Sequence, residues 1–485
     1  MVRNFKALLI FAIGLLLSTA GIPSSHAQTP LALQPTTSIP VSLGVPNTAA
    51  ILYRPTTDVL GNADIGIFVM HPYASYTTFA GCTQLAQRGF TVLCANGPFN
   101  GNQYGYYGYE QHAPTIAAGL NYLRNTVASP AIKKALVFGH SAGGPMMAFY
   151  DNVAENGPSA CTGPEKLIPC VTSNLQNLPK PDGVMLFDSH LGDSLATFTY
   201  VDPSILTNAN PAGDVPANRD PSLDLFSAAN GYNAATTGGT YTSAFVKRYT
   251  AAQAERNAEL VSQALNLLRA EQQFNPTALG DDIPFLCIGC TAARLWQPAS
   301  GGANQSATGL LNCTQQPHTL LAHDGTRPVQ VVCSVRPPSG QGADGITNNS
   351  NINTNVHIYL GAHAMRTNGR YTQTLNDITG LDYSSSAATS AGNAPGITVP
   401  IIIIANTGHY FIRPDEILFN NLTSTNDKTL AYEEGAVHGG TECTACETLL
   451  GLPAGYYGDT FGRSMDFYAE WLMGNGPNGK PRFPH

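Results

Sequence analysis

Charge is scarce in this chain. Only 12% of its 485 residues are Asp, Glu, Lys or Arg, about half the usual ~25%. Lys and Arg number 24 against 32 Asp and Glu, for a net charge of -8. There is no basic excess to neutralise phosphates, which excludes a nucleic-acid binder. Long apolar runs are missing too. Residues 7–17 (ALLIFAIGLLL) make a run of 11, short of the ~20 that a spanning helix needs, so no stable membrane anchor is expected. Phosphate-binding G-x-x-x-x-G-K-[ST], zinc-binding H-E-x-x-H and the dinucleotide fingerprint are all absent, and no metal or organic cofactor is expected. What is present is a 43% hydrophobic fraction, enough for a sizeable core, with 48 Gly and 34 Pro to make turns.

The first segment reads as a secretory signal. Arg3 and Lys6 precede the apolar run, and Ser25-His26-Ala27 places small residues at -3 and -1 of a cut before Gln28. The mature protein is expected to be secreted or periplasmic. All ten cysteines follow the cut, an even number that suits an oxidising compartment. Cys82 with Cys94, Cys161 with Cys170, and Cys313 with Cys333 are close in sequence. Cys287 with Cys290, and Cys443 with Cys446, form two C-x-x-C units. Disulfides are the favoured reading of those two units. A four-thiolate zinc site is the alternative.

Short apolar strands alternate with helical segments from residue 49. Strands are read at 49–54, 64–70, 90–95, 135–138 and 183–187, and helices at 76–88, 110–127 and 143–155. That alternation predicts an α/β fold with a mostly parallel sheet and helices on both faces. It stops from about 190 to 397, a stretch rich in Asn, Thr, Gly, Pro and Ser. Within it Phe245, Tyr249, Ala252, Val261, Ala264, Leu265 and Leu268 predict a long amphipathic helix over 243–272. The sheet pattern resumes at 399–405 and 428–433, and a helix closes at 463–474. The middle stretch therefore reads as an insertion into the sheet.

The sharpest chemical signal is Gly139-His140-Ser141-Ala142-Gly143, a G-x-S-x-G between a strand and a helix. Its glycines permit a tight turn that lifts the serine hydroxyl above the sheet, beside a helix N-terminus suited to developing negative charge. Ser141 is the candidate nucleophile. His438, just after the last predicted strand, is the candidate base, giving the order Ser first and His last.

With these motifs the chain resembles the α/β-hydrolase superfamily, in its secreted bacterial esterase and lipase branch, over residues ~48–190 and ~397–475. The resemblance implies a serine hydrolase, most simply a carboxylic ester hydrolase acting through an acyl-enzyme. An acyltransferase, an amidase, or a non-catalytic binding protein on the same fold are the alternatives. It implies a core over 28–190 and 398–485, a cap over 191–397 inserted before the penultimate core strand, and an oxyanion hole from the N–H groups of Tyr73 and Ala142. His71 would brace the Tyr73 loop. In similar enzymes an acid follows the strand before the histidine strand, but here His409 stands at that place. Asp188, after the preceding strand, is the favoured acid, with Asp415, Glu416 and Asp193 as alternatives. The partner implied is a small-molecule or polymeric ester. The disulfide candidate Cys443/Cys446 would stiffen the His438 loop, and tyrosines 104, 106, 107 and 109 would line a cleft. The sequence leaves the oligomeric state open. Asn304, Asn312, Asn348 and Asn421 fit N-x-[ST].

Overall fold

The computed structural model describes residues 30–98, 107–206, 219–233, 238–291, 311–337 and 351–484. The expected signal segment, Tyr104, Tyr106, Asn304 and Asn348 lie outside them. Among the described residues no helix is long and apolar enough to cross a membrane.

The first half builds β1 (Thr36–Val41), β2 (Ala50–Pro55), β3 (Ile65–His71), α1 (Ala80–Gln87), β4 (Thr91–Asn96), α2 (Tyr109–Thr126), β5 (Lys134–His140), α3 (Gly143–Asn156), β6 (Val184–Phe187) and α4 (Asp193–Tyr200). The inserted stretch adds α5 (Ser243–Gln272), β7 (Pro284–Cys287), β8 (His318–Leu321), β9 (Val329–Gln330), β10 (Ile352–Asn355), β11 (Arg366–Gln373) and β12 (Ile378–Asp382). The chain then closes with β13 (Ile401–Asn406), α6 (Ile412–Asn421), β14 (Lys428–Glu433), α7 (Thr444–Leu450) and α8 (Thr460–Met473).

Ten strands form one sheet, in the order β1-β2-β4-β3-β5-β6-β13-β14-β8-β9. Every pairing from β4 through β8 is parallel; those of β1, β2 with β4, and β9 are antiparallel. This is the mostly parallel sheet of an α/β-hydrolase-like fold. Its central strands are apolar at nearly every position because both faces are covered. Alternate residues serve opposite sides: Ile67, Phe138, Phe187 and Ile404 meet α1 and α8, while Phe68, Val137, Leu186 and Ile403 meet α2 and α3.

The long helix runs over the expected residues and buries Phe245, Tyr249, Val261, Ala264 and Leu268. Thr242 starts it, its side chain accepting from the Phe245 N–H at 3.1 Å. Part of the stretch 191–397 lies in the sheet itself, since β8 pairs parallel with β14 and β9 closes the edge.

All ten cysteines are joined within the five sequence-local pairs: Cys82–Cys94, Cys161–Cys170, Cys287–Cys290, Cys313–Cys333 and Cys443–Cys446. The zinc alternative is thereby corrected. Cys290 is bonded to Cys287 and Cys446 to Cys443, so each C-x-x-C unit closes on itself and no thiolate is left to share a metal. Cys290 follows the end of β7 and is fully buried. It packs with Val261 and Ala264 of α5 and with Tyr359, a cluster that holds the inserted stretch together.

Candidate active site

Parallel strands deliver their C-terminal ends to one edge of the sheet, where crevices form. His71 ends β3, His140 ends β5, Asp188 follows β6, His409 follows β13, and His438 follows β14. The β5–α3 turn is tight enough to require its glycines. A Cβ on Gly139 would sit 2.2 Å from the Gly143 carbonyl oxygen, and one on Gly144 would sit 2.0 Å from Ser189 Oγ. Ser141 is held at φ +57° and Asp188 at φ +42°, left-handed conformations that cost a side-chain-bearing residue free energy and cluster at functional sites. The sheet enforces both: the Ser141 N–H donates to the Phe187 carbonyl at 3.1 Å, and the Asp188 N–H to the Ile404 carbonyl at 2.7 Å.

Three sequence-selected residues meet here. His438 Nε2 lies 2.8 Å from Ser141 Oγ, and His438 Nδ1 lies 2.5 Å from Asp188 Oδ2. The carboxylate is fully buried. Burial alone would push its pKa up, but His409 and His438 outweigh that and hold it well below the usual range. The His438 loop is pinned from several sides. Asn406 Nδ2 donates to the Val437 carbonyl at 2.8 Å, and the Cys443 N–H donates to the Gly435 carbonyl at 2.7 Å, beside the Cys443–Cys446 disulfide. No cysteine is among the described residues that line the cavity, although Cys290 directly precedes the cavity residue Thr291.

The other acid candidates are engaged elsewhere. Glu416 accepts from Arg413, His318 and the Gln315 and Gln316 N–H groups. The Asp415 carboxyl is buried without a hydrogen-bond partner among the described residues, and desolvation raises its pKa well above the usual range. Asp193 accepts from the Tyr73 hydroxyl.

Two histidines beside the triad were not singled out from sequence as part of it. His409 Nδ1 makes a short, oblique approach to the same Asp188 Oδ2, at 2.7 Å, and its ring stacks on His438 at 4.3 Å. A metal held jointly by Asp188, His409 and His438 would need donor atoms about 3.3 Å apart in a tetrahedral shell. The observed 2.5 and 2.7 Å are closer than such a shell allows, and the His438 contact has the geometry of a hydrogen bond. His140 joins Tyr76 to the histidine loop, with Nδ1 2.5 Å from the Tyr76 hydroxyl and Nε2 2.8 Å from the His438 carbonyl. Burial pushes its pKa down to about 3, so it stays neutral.

The expected oxyanion donors differ in state. Ala142 precedes α3 directly, where helix N–H groups lack intrahelical partners. The Tyr73 N–H instead donates to His71 Nδ1 at 3.0 Å. His71 thus braces the loop as expected. Tyr109, expected in a cleft, packs beneath the surface against Phe149 at 6.0 Å.

Ser141 and His438 open onto a cavity of about 410 Å³ walled by Tyr73, His190, Asp193, Tyr200 and Phe411. A larger cavity of about 950 Å³ lies between α5 and β11, and shares no lining residue with the first. Burial pushes the Asp193 carboxyl up to about 7, against the opposing hydrogen bonds from Tyr73 and Tyr109. An unfolded Asp titrates near ~3.9. The folded chain therefore holds a proton that the unfolded chain has released, and stability falls as pH rises from about 4 to about 7. That interval corresponds to about 4 kcal/mol. Asp193→Asn keeps an acceptor for Tyr73 and removes the titration. Its Tm is expected to gain on the parent as pH rises from 4 to 8; parallel Tm curves would contradict this.

No protein-family model matches the chain, and no curated protein matches it. Solved structures do resemble it. A hypothetical protein from Pseudomonas aeruginosa is 12% identical over 85% of this chain and 89% of that one, with a TM-score of 0.34. Brefeldin A esterase, described as a bacterial homologue of human hormone sensitive lipase, is 10% identical over 94% and 80%, with a TM-score of 0.37. Esterase B from Lactobacillus rhamnosis is 13% identical over 35% and 52%, with a TM-score of 0.25. At such identities the functional assignment falls to the chain's own geometry.

Proposed function

We propose that this chain is an exported serine hydrolase acting on small carboxylic esters. The observation that carries the reading is the continuous relay from Ser141 Oγ to His438 Nε2 at 2.8 Å and from His438 Nδ1 to Asp188 at 2.5 Å, at the mouth of a cavity. In this reading Ser141 Oγ attacks the ester carbonyl while His438 Nε2 takes its proton. Asp188 keeps the Nδ1–H tautomer and stabilises the imidazolium. The tetrahedral oxyanion draws on the Ala142 N–H, and on the Tyr73 N–H in competition with His71. Collapse expels the alkoxide, which takes the proton from His438 and leaves an acyl-Ser141. Water, deprotonated by His438, then releases the acid. Residues 191–397 serve chiefly as the cap over the cavity, through Tyr200 and Thr291. Export after removal of residues 1–27 is supported by the five cysteine pairs.

A fluorophosphonate probe tests the nucleophile. Peptide mapping is expected to find the label on Ser141. Folded protein that takes no label, or takes it elsewhere, would contradict the assignment.

A further inference from the structure

Two histidines on the cavity wall share one local device. The Tyr73 N–H donates to His71 Nδ1 at 3.0 Å, and the Gly192 N–H donates to His190 Nδ1 at 2.9 Å. In each case the backbone donor comes from two residues on, just beyond a strand end. An imidazole nitrogen that accepts an N–H carries no proton itself, so the proton of the neutral ring resides on Nε2. Both rings are kept neutral. Burial lowers the pKa of His71 well below the usual value, with His140, His190, His438 and His112 adding to it. Burial lowers that of His190 to about 3, with His438 adding and Asp188 opposing.

Both residues line the same cavity as Ser141. Among the described residues the ring hydrogen bonds of both histidines run through Nδ1, which leaves Nε2 of each for the cavity. Asp193 Oδ1 stands 3.6 Å from His190 Nε2, beyond hydrogen-bonding range. His71 is only 9% exposed. A buried donor left unmet is costly, and a site built to meet a substrate oxygen discriminates strongly against analogues that lack it.

We propose that the Nε2–H groups of His71 and His190 form a donor subsite beside Ser141 that takes a second, uncharged oxygen of the ester: an ether, hydroxyl, keto or further ester oxygen near the scissile carbonyl. This rests on the reading of Ser141 as the nucleophile. The preferred substrates are then oxygen-substituted short esters, ahead of hydrocarbon acyl esters of the same size. A cationic group is disfavoured, because both rings offer donors only.

The test compares near-isosteric nitrophenyl esters: methoxyacetate against butyrate, and 3-methoxypropionate against valerate. Each rate is corrected for the ester's alkaline hydrolysis. The variants are His71→Asn and His190→Asn, singly and together. Asparagine Oδ1 can replace Nδ1 as the acceptor for the backbone N–H, so the loop brace is kept, while its Nδ2 donor stops short of the position of the imidazole Nε2–H. The parent is expected to favour the oxygen ester of at least one pair in kcat/KM by about tenfold, and that preference is expected to fall to near unity in the double variant. His190→Gln, whose longer side chain carries its NH2 donor out to the position of the imidazole Nε2–H, is expected to restore part of it. A parent without preference, a preference that survives in the double variant, or an equal loss on both members of each pair would overturn the subsite. If His71→Asn fails to fold, the His190 variants decide on the same criteria. Fluorophosphonate labelling of Ser141 is scored separately. Labelling with no oxygen preference defeats the subsite alone, whereas absent labelling defeats the serine mechanism beneath it.

Discussion

Ser141→Ala is expected to lower kcat for a short-chain nitrophenyl ester by about 10⁵-fold or more, with a Tm within a few degrees of the parent. The hydroxyl makes its contact with His438 at 2.8 Å and no other hydrogen bond among the described residues. The strained backbone is set by the Ser141 N–H bond to Phe187 and by the glycines around it, and alanine keeps both. Alanine also keeps the left-handed strain, whereas glycine would relax it and mix a stability change into the kinetic result. A variant that folds like the parent and retains more than a few per cent of its turnover would mean that another group forms the covalent bond.

Asp188→Asn is expected to cost about 10⁴-fold in kcat. The carboxylate faces two imidazole nitrogens through one oxygen, His438 Nδ1 at 2.5 Å and His409 Nδ1 at 2.7 Å. Its other oxygen accepts the Asn406 N–H at 3.1 Å. An amide offers one oxygen for all three and removes the charge that stabilises the imidazolium. Turned with its nitrogen toward His438 the amide imposes the wrong tautomer; turned with its oxygen there it keeps the tautomer but not the charge. The contrast comes from a rival carboxylate. Asp415→Asn is expected to change kcat by less than about threefold, because Asp415 makes no bond to the histidine. Steady-state kinetics on the two purified variants checks this. Comparable losses in both would return the choice of acid to Asp415.

The parts of this site legible in the sequence were those with local causes. The glycines of 139–143 are legible because only residues without a Cβ fit where 2.2 Å separates a side chain from backbone. Ser141 and His438 follow from strand ends, and the strands follow from apolar runs buried on both faces. Asp188 was one of several carboxylates until the sheet placed β13 beside β6. His409 carried a visible signal, a histidine where an acid was expected, but its role depends on the Asp188 carboxylate, which lies over 200 residues away in sequence. The cysteine pairs were legible from spacing, because each of them, Cys287 with Cys290 included, joins near neighbours in the chain. The edge strand β1, and β8 next to the opposite edge, were not read. Thr36–Val41 is largely exposed and contains Pro40, and His318–Leu321 is too short to show alternation. The forced tautomers of His71 and His190 belong to turn geometry, which leaves no pattern in residue type.

The position of β13 and β14 in the sheet bears on the order in which a growing chain acquires its parts. Val184 pairs with Ile401 and Thr319 pairs with Ala431, so the last two core strands slot between partners synthesised long before them. Until they arrive, β6 and β8 each present an open edge, the kind that recruits strands from other molecules. Pairing across such separations is slow. Asp188 and Ser141 are then made early and remain without their histidine until 250 further residues have been added after Asp188. A nascent chain released before residue 438 would carry its nucleophile unactivated, and the sticky edges would be its dominant property.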